Sequence, residues 1–131
     1  DCLSVCPWNK YARATRDAKL SAREDLVAPK LSVLAKLDDQ AFRSLFVGSP
    51  IKRLGRDRFV RNVLIAIGNS GNARLASVAD SLLEDSSTLV RAMAVWAWRR
   101  LGKPEEIADR RERYLQREAD SVVRAEWTEH V

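Results

Sequence analysis

The sequence predicts an all-α fold arranged as a helical repeat solenoid. Ala, Leu, Arg and Glu dominate after the first fifty residues, and the 131 residues include only 5 Gly and 4 Pro, a balance that favours helix. Val60-Arg61, Val90-Arg91 and Val123-Arg124 recur at intervals of 30 and 33 residues, and each pair opens a short apolar run. A period of about 30 residues with two helices per unit marks a solenoid, because one helix pair cannot cover its own apolar face but its neighbours can.

The elements follow in order. Ser21-x-x-Glu24 has the form of a capping box. Pro29 suits the first turn of a helix whose face carries Leu31, Leu34, Ala35 and Leu37. Asp38 is an N-cap for a helix with Ala41, Phe42, Leu45 and Phe46 at helical spacing, and Gly48-Ser49-Pro50 ends it. The repeat region then begins, with apolar runs Val63–Ile67, Met93–Ala97 and Ala125 with Trp127. An acid precedes each pair: Asp57, Asp85 and Asp120. Second helices carry Leu75, Val78, Ala79, Leu82 and Leu83, and then Ile107, Ala108, Tyr114 and Leu115 from a start at Pro104-Glu105-Glu106. An acid, a short gap, Val-Arg and a run of small and apolar residues resembles HEAT-like repeats, which would occupy residues 29–131.

Charge and cysteine usage bound the function classes. Lys plus Arg is 23 against 18 Asp plus Glu, a formal charge of +5, which permits a polyanionic partner without demanding one. No apolar run approaches the roughly 20 residues needed to span a bilayer, and no signal peptide is visible. Two cysteines make no secreted disulfide framework. The expected state is a cytoplasmic monomer without a membrane partner. No glycine-rich phosphate loop and no nucleophile with a nearby base is evident, so no catalytic residue is assigned and the chain alone is expected to be inactive.

Residues 1–9 read Asp-Cys-Leu-Ser-Val-Cys-Pro-Trp-Asn. A short cysteine run closed by Cys-Pro belongs to ferredoxin-type motifs, in which the last cysteine ligates the other cluster of a pair. Four thiolates are needed for a four-iron cluster and this chain has two, Cys2 and Cys6. A zinc site lacks ligands as well, because the single histidine, His130, lies at the far end. The spacing excludes a Cys-x2-Cys redox pair.

Two blocks carry a family resemblance. Cys2-Leu3-Ser4-Val5-Cys6-Pro7-Trp8-Asn9 resembles the end of the double-cluster ferredoxin region of tRNA epoxyqueuosine reductases. Leu37-Asp38-Asp39-x-Ala41-Phe42-Arg43-x-x-Phe46-x-Gly48-Ser49-Pro50-Ile51-Lys52-Arg53, followed by Gly55-Arg56-x-Arg58-Phe59-x-Arg61-Asn62, is similar to the same family's linker into its HEAT-like tail. The resemblance implies a C-terminal piece of an enzyme that reduces epoxyqueuosine to queuosine at the wobble position of tRNA. It implies two 4Fe-4S clusters and a cobalamin in the intact protein, with none of these held by this piece alone. Cys2 and Cys6 would ligate different clusters. The ferredoxin and cobalamin domains would lie upstream of Asp1, with residues 10–28 as a connector.

Residues 50–61, PIKRLGRDRFVR, bring Lys52, Arg53, Arg56, Arg58 and Arg61 against a single acid, Asp57. Phosphate recognition calls for such groups, and with the resemblance Lys52, Arg53, Arg56 and Arg58 are assigned to the tRNA, in its anticodon region. The framing glycines and Pro50 could turn backbone amides toward a phosphate. Phe59 is expected to pack with Val63 rather than to stack on a base. Arg61, Arg91 and Arg124 are expected to form a ladder with acids of neighbouring repeats. Trp96 is expected in the core, Trp98 toward the exposed face and Trp8 exposed, while Asp109–Arg113 forms a solvated face. Two other readings stand beside tRNA contact: a HEAT-like protein-interaction scaffold attached to an unrelated iron–sulfur electron-transfer protein, or an electron-carrying subunit.

Overall fold

The computed structural model describes residues 2, 4–13 and 23–128, and among these every regular element is helical. Ser21 of the expected capping box and His130 lie outside the described residues. Seven α-helices follow one another: α1 (Leu31–Leu34), α2 (Asp39–Leu45), α3 (Arg56–Asn69), α4 (Ala76–Asp80), α5 (Thr88–Leu101), α6 (Pro104–Leu115) and α7 (Ser121–Thr128). Short 3-10 turns span Pro7–Tyr11, Glu24–Leu26, Pro50–Leu54 and Ala73–Leu75.

The boundaries follow local chemistry. Asp38 caps α2 by accepting from the Ala41 amide at 2.7 Å. Pro104 occupies the first turn of α6 with Glu105 and Glu106 beside it, where acids complement the helix dipole. Pro29, by contrast, stands before α1, whose N-cap is Lys30. Proline disfavours helical backbone in its predecessor and is easily placed just outside a helix start.

The core is assembled by α3, α5 and α7. α3 packs on α5 and α5 on α7, with α1 against α3, α4 against α5 and α6 against α7. Val60, Val90 and Val123 are all buried, and so are the residues four positions on, Leu64, Ala94 and Trp127. The i, i+4 spacing places each pair on one helical face. Trp98 continues this stripe from Val90 and Ala94 and is buried. Trp96, two residues earlier, falls about 160° away from Trp98 around the helix at 3.6 residues per turn. It is half-buried, with the Arg100 guanidinium 5.0 Å above its ring. Trp98, expected toward the exposed face, is therefore in the core, and Trp96, expected in the core, packs at its margin: helical angle, not the apolar character of the neighbours, selects which one is fully enclosed.

Gly68 sits where α3 meets α5. A methyl group built on it would run into the Trp96 ring and lie 3.1 Å from the Ala97 Cα. Gly68→Ala should therefore destabilise the chain by about 1–3 kcal/mol through overpacking, even though alanine is the better helix former. Thermal unfolding followed by circular dichroism measures this. An unchanged or raised midpoint would show that α3 and α5 can separate at no cost.

Candidate nucleic-acid interface

The segment from Gly48 to Arg58 is built by steric punctuation. Gly48 and Gly55 adopt φ of +73° and +76°, which side-chain-bearing residues rarely tolerate. Between them, Ser49 caps the turn Pro50–Leu54 by accepting from the Ile51 amide at 3.2 Å. The Lys52 amide donates to the Ser49 carbonyl at 3.2 Å. These amides are spent inside the turn, so the expected backbone cradle for a phosphate is not formed by them. Side chains carry the charge of this surface.

Beneath the turn lies an aromatic trio. The ring centroids of Phe42 and Phe46 stand 5.3 and 4.9 Å from that of Phe59, and Phe42 and Phe46 are 5.2 Å apart. Phe59 thus packs inward, anchoring the start of α3 to α2. Lys52, Arg53 and Arg58 are exposed, and among the described residues none of the three side chains forms an ion pair or hydrogen bond. Lys52 and Arg53 border a shallow hollow shared with Gly48, Ser49 and Pro50. Arg58 borders a second open groove, between the turn and the start of α5, flanked by Leu54 and Leu89.

Arg56 is different from its three neighbours. Its guanidinium holds Asp85 through two hydrogen bonds, 2.9 and 2.6 Å, and donates from Nε to the Leu37 carbonyl at 3.0 Å. Its side chain is 15% exposed and that of Asp85 7%. Asp85 also accepts from the Ser87 amide at 2.9 Å, capping the approach to α5. Burial alone would raise the Asp85 carboxyl, but the hydrogen bonds from Arg56 and Ser87 outweigh it and hold the group below its ordinary range. Arg56, at the start of α3, clasps the segment that follows α1 to the segment that precedes α5, and its guanidinium is taken up there rather than offered to a ligand.

A second clasp has the same form. Arg91 binds Glu118 at 2.8 and 3.0 Å, and Glu118 accepts from the Asp120 amide at 2.9 Å. The hydrogen bond from Arg91 lowers the Glu118 carboxyl. Of the three arginines expected to form a ladder with acids, Arg91 alone pairs with one among the described residues. Arg124 caps the Leu115 and Glu118 carbonyls instead, at 2.5 and 3.0 Å, and Arg61 reaches Asn62. Sequence inspection missed the second acid. Asp85 and Glu118 each lie five residues before the valine of the following pair, and that common offset was the available signal. The Asp109–Arg113 stretch is exposed apart from Arg110, which pairs with Asp80 at 3.0 Å.

At the other end, Cys6 precedes the Pro7–Tyr11 turn and accepts the Asn9 amide on its carbonyl at 3.0 Å. Both cysteines are free thiols, Cys2 exposed and Cys6 partly so. Trp8 is 72% exposed, beside Tyr11. Among the described residues no three His, Cys, Asp or Glu side chains gather as a metal site. Two thiolates fall short of the four that a four-iron cluster needs. No helix among the described residues is long and apolar enough to cross a membrane.

No protein-family model matches the chain. It is 38% identical over 98 residues to an epoxyqueuosine reductase of Xanthomonas campestris pv. campestris, covering 74% of this chain and 28% of that protein. A second, from Alicycliphilus denitrificans, is 36% identical over 105 residues, covering 74% and 29%. The chain belongs to the epoxyqueuosine reductase family. It spans under a third of the length of these relatives. The fold agrees with that of a solved epoxyqueuosine reductase in complex with a tRNA-Tyr epoxyqueuosine-modified stem loop. The TM-score is 0.85 at 23% identity, over 96% of this chain and 34% of that one. Within the epoxyqueuosine reductase family, this chain therefore corresponds to a helical portion whose basic segment and second clasp treat their arginines differently. Arg56 and Arg91 are taken up by clasps, and Lys52, Arg53 and Arg58 face solvent.

Proposed function

We propose that this chain is the C-terminal, tRNA-contacting domain of an iron–sulfur, cobalamin-dependent reductase that converts epoxyqueuosine to queuosine in tRNA. The observation that carries this reading is the solvent-facing group of Lys52 and Arg53 on the turn Pro50–Leu54 and Arg58 at the start of α3, without partners among the described residues, in a chain of this family. In this reading residues 29–131 form a HEAT-like solenoid, supported by the matched burial of Val60, Val90 and Val123. Residues 1–9 are the tail of the ferredoxin motif, where Cys2 and Cys6 each lend one thiolate to a different 4Fe-4S cluster of the complete protein. Cobalamin and catalysis belong to upstream domains, and this chain alone is non-catalytic, cytoplasmic and monomeric. Val5, Trp8 and Tyr11, exposed by 78, 72 and 63%, form apolar surface suited to contact with those domains.

The test is tRNA binding by the chain at several salt concentrations. With three phosphate contacts, a fourfold rise in salt should weaken binding about 40-fold, each contact adding about 0.9 to the logarithmic slope. Replacing Lys52, Arg53 and Arg58 together by Ala should remove most of that slope and leave the melting temperature nearly unchanged. Binding that ignores salt, or survives the triple replacement, would remove the basic turn from the interface.

A further inference from the structure

We propose that Asp85 is a positioning residue: from the following repeat it fixes, through Arg56, the direction in which the turn Pro50–Leu54 presents Lys52 and Arg53. This rests on the RNA-contacting reading above and names the part of the next repeat on which that surface depends. The turn has no core anchor of its own, because no side chain of Pro50–Leu54 is buried. Its internal bonds run from the Ile51 and Lys52 amides to Ser49 and from the Gly55 amide to the Lys52 carbonyl at 3.4 Å. They fix its shape but not its direction. Direction is set where the turn joins the bundle, at Gly48 and Gly55. Among the described residues, no heavy atom beyond the adjoining residues comes within 4 Å of the place a Cβ would occupy at either glycine, so no packing braces the backbone there. On the entry side Phe46, just before the first glycine, is enclosed in the aromatic trio. On the exit side the first fully buried residue of α3 is Val60, more than a helical turn beyond Gly55. Arg56, adjacent to Gly55, spans that gap. It is tied to the Leu37 carbonyl and to both carboxylate oxygens of Asp85, 29 residues on. Asp85 is itself immobilised. Its carboxylate accepts from the amide of Ser87, the N-cap of α5, and its carbonyl accepts from Arg91 at 2.9 Å. A fixed line of groups therefore runs from α5 through Asp85 and Arg56 to the base of the turn. Holding a charged surface in one orientation before its ligand arrives reduces the ordering cost of binding. The second clasp, Arg91 with Glu118, has the same chemistry and lies one repeat further from the turn, so it separates positioning from general support of the fold.

The 131-residue chain and its Asp85→Asn, Arg56→Lys and Glu118→Gln variants should be compared by nitrogen-15 relaxation without RNA and by titration with a tRNA stem loop. Both are done at a temperature where circular dichroism shows every variant folded. Asparagine keeps an acceptor for the Ser87 amide and loses the charge, whereas lysine keeps the charge and loses the fork that spans Leu37 and Asp85. In both variants the backbone order parameters of Ile51–Leu54 should fall from about 0.85 toward about 0.6. The stem loop should bind them about fivefold more weakly, with the salt slope unchanged because the number of phosphate contacts is the same. Glu118→Gln should leave both readouts at their native values. A turn that stays rigid in Asp85→Asn and Arg56→Lys, or that loosens without weakening the complex, would overturn the assignment. Loosening or weakening of equal size in Glu118→Gln would overturn it as well, by reducing Asp85 to general support of the fold. A native chain that binds no stem loop would overturn the RNA-contacting reading instead, and the relaxation data would still decide whether Asp85 holds the turn.

Discussion

Trp127→Ala should lower the stability of the chain by about 3–5 kcal/mol, the range for truncating a large buried aromatic residue. For a domain of this length that corresponds to a drop of roughly 10–18 °C in Tm. Trp127 is 1% exposed and is the largest side chain fully enclosed in the core. Its ring stacks on Tyr114 at 5.5 Å with an 18° tilt and meets Trp98 at 6.1 Å. It thereby joins α5, α6 and α7, and α7 is only eight residues long. A helix of that length does not hold itself and depends on the face it buries. Among the described residues the indole Nε1 is buried without a hydrogen-bond partner, an arrangement that itself costs about 1–3 kcal/mol. Trp127→Phe, which removes that donor and keeps an aromatic ring, should lose less than half as much as Trp127→Ala. Paired thermal melts by circular dichroism decide this, and equal losses in the two variants would show that the indole nitrogen carries no penalty.

The fold class was legible because its signal is redundant. Helix-favouring composition, capping residues at Asp38 and Pro104 and the spacing of three Val-Arg pairs all point the same way, and local choices that agree identify a fold well. The tryptophans illustrate where such reading stops. An apolar run gives no information on which of its members faces inward, because that depends on angle around the helix. Measured from Val90, that angle puts Trp98 inside and Trp96 at the margin, where it covers Gly68.

The site divides in the same way. A run of five cations is visible as charge, but each one's partner depends on acids that arrive from far along the chain. Arg56 and Arg58 are two residues apart and look alike in sequence. On a helix such neighbours face different directions, and Arg56 meets Asp85, 29 residues on, while Arg58 meets solvent. Exposure was thus legible only where no distant carboxylate intervened.

Asp85→Ala should have the second large effect, about 2–3 kcal/mol, below the roughly 3–5 kcal/mol for breaking a fully buried ion pair because Arg56 retains some solvent. The loss combines a guanidinium left without its counter-charge and a Ser87 amide left without its cap. Acid should reproduce part of it. Asp85 and Glu118 are held below their ordinary values of 3.8 and 4.5. Carboxylates of this kind contribute stability that is fully present above the unfolded-state pKa and lost as pH falls through the folded one. The native chain should therefore weaken as pH drops below about 4.5, and Asp85→Ala should flatten that dependence. Replacing both partners, Arg56→Met with Asp85→Leu, separates the pair from its desolvation. A double variant that recovers most of the loss would show that the clasp chiefly avoids an unpaired buried charge, as expected for such pairs. A double variant as weak as Asp85→Ala would show instead that the links from Arg56 to Leu37 and from Asp85 to Ser87 tie the helices together.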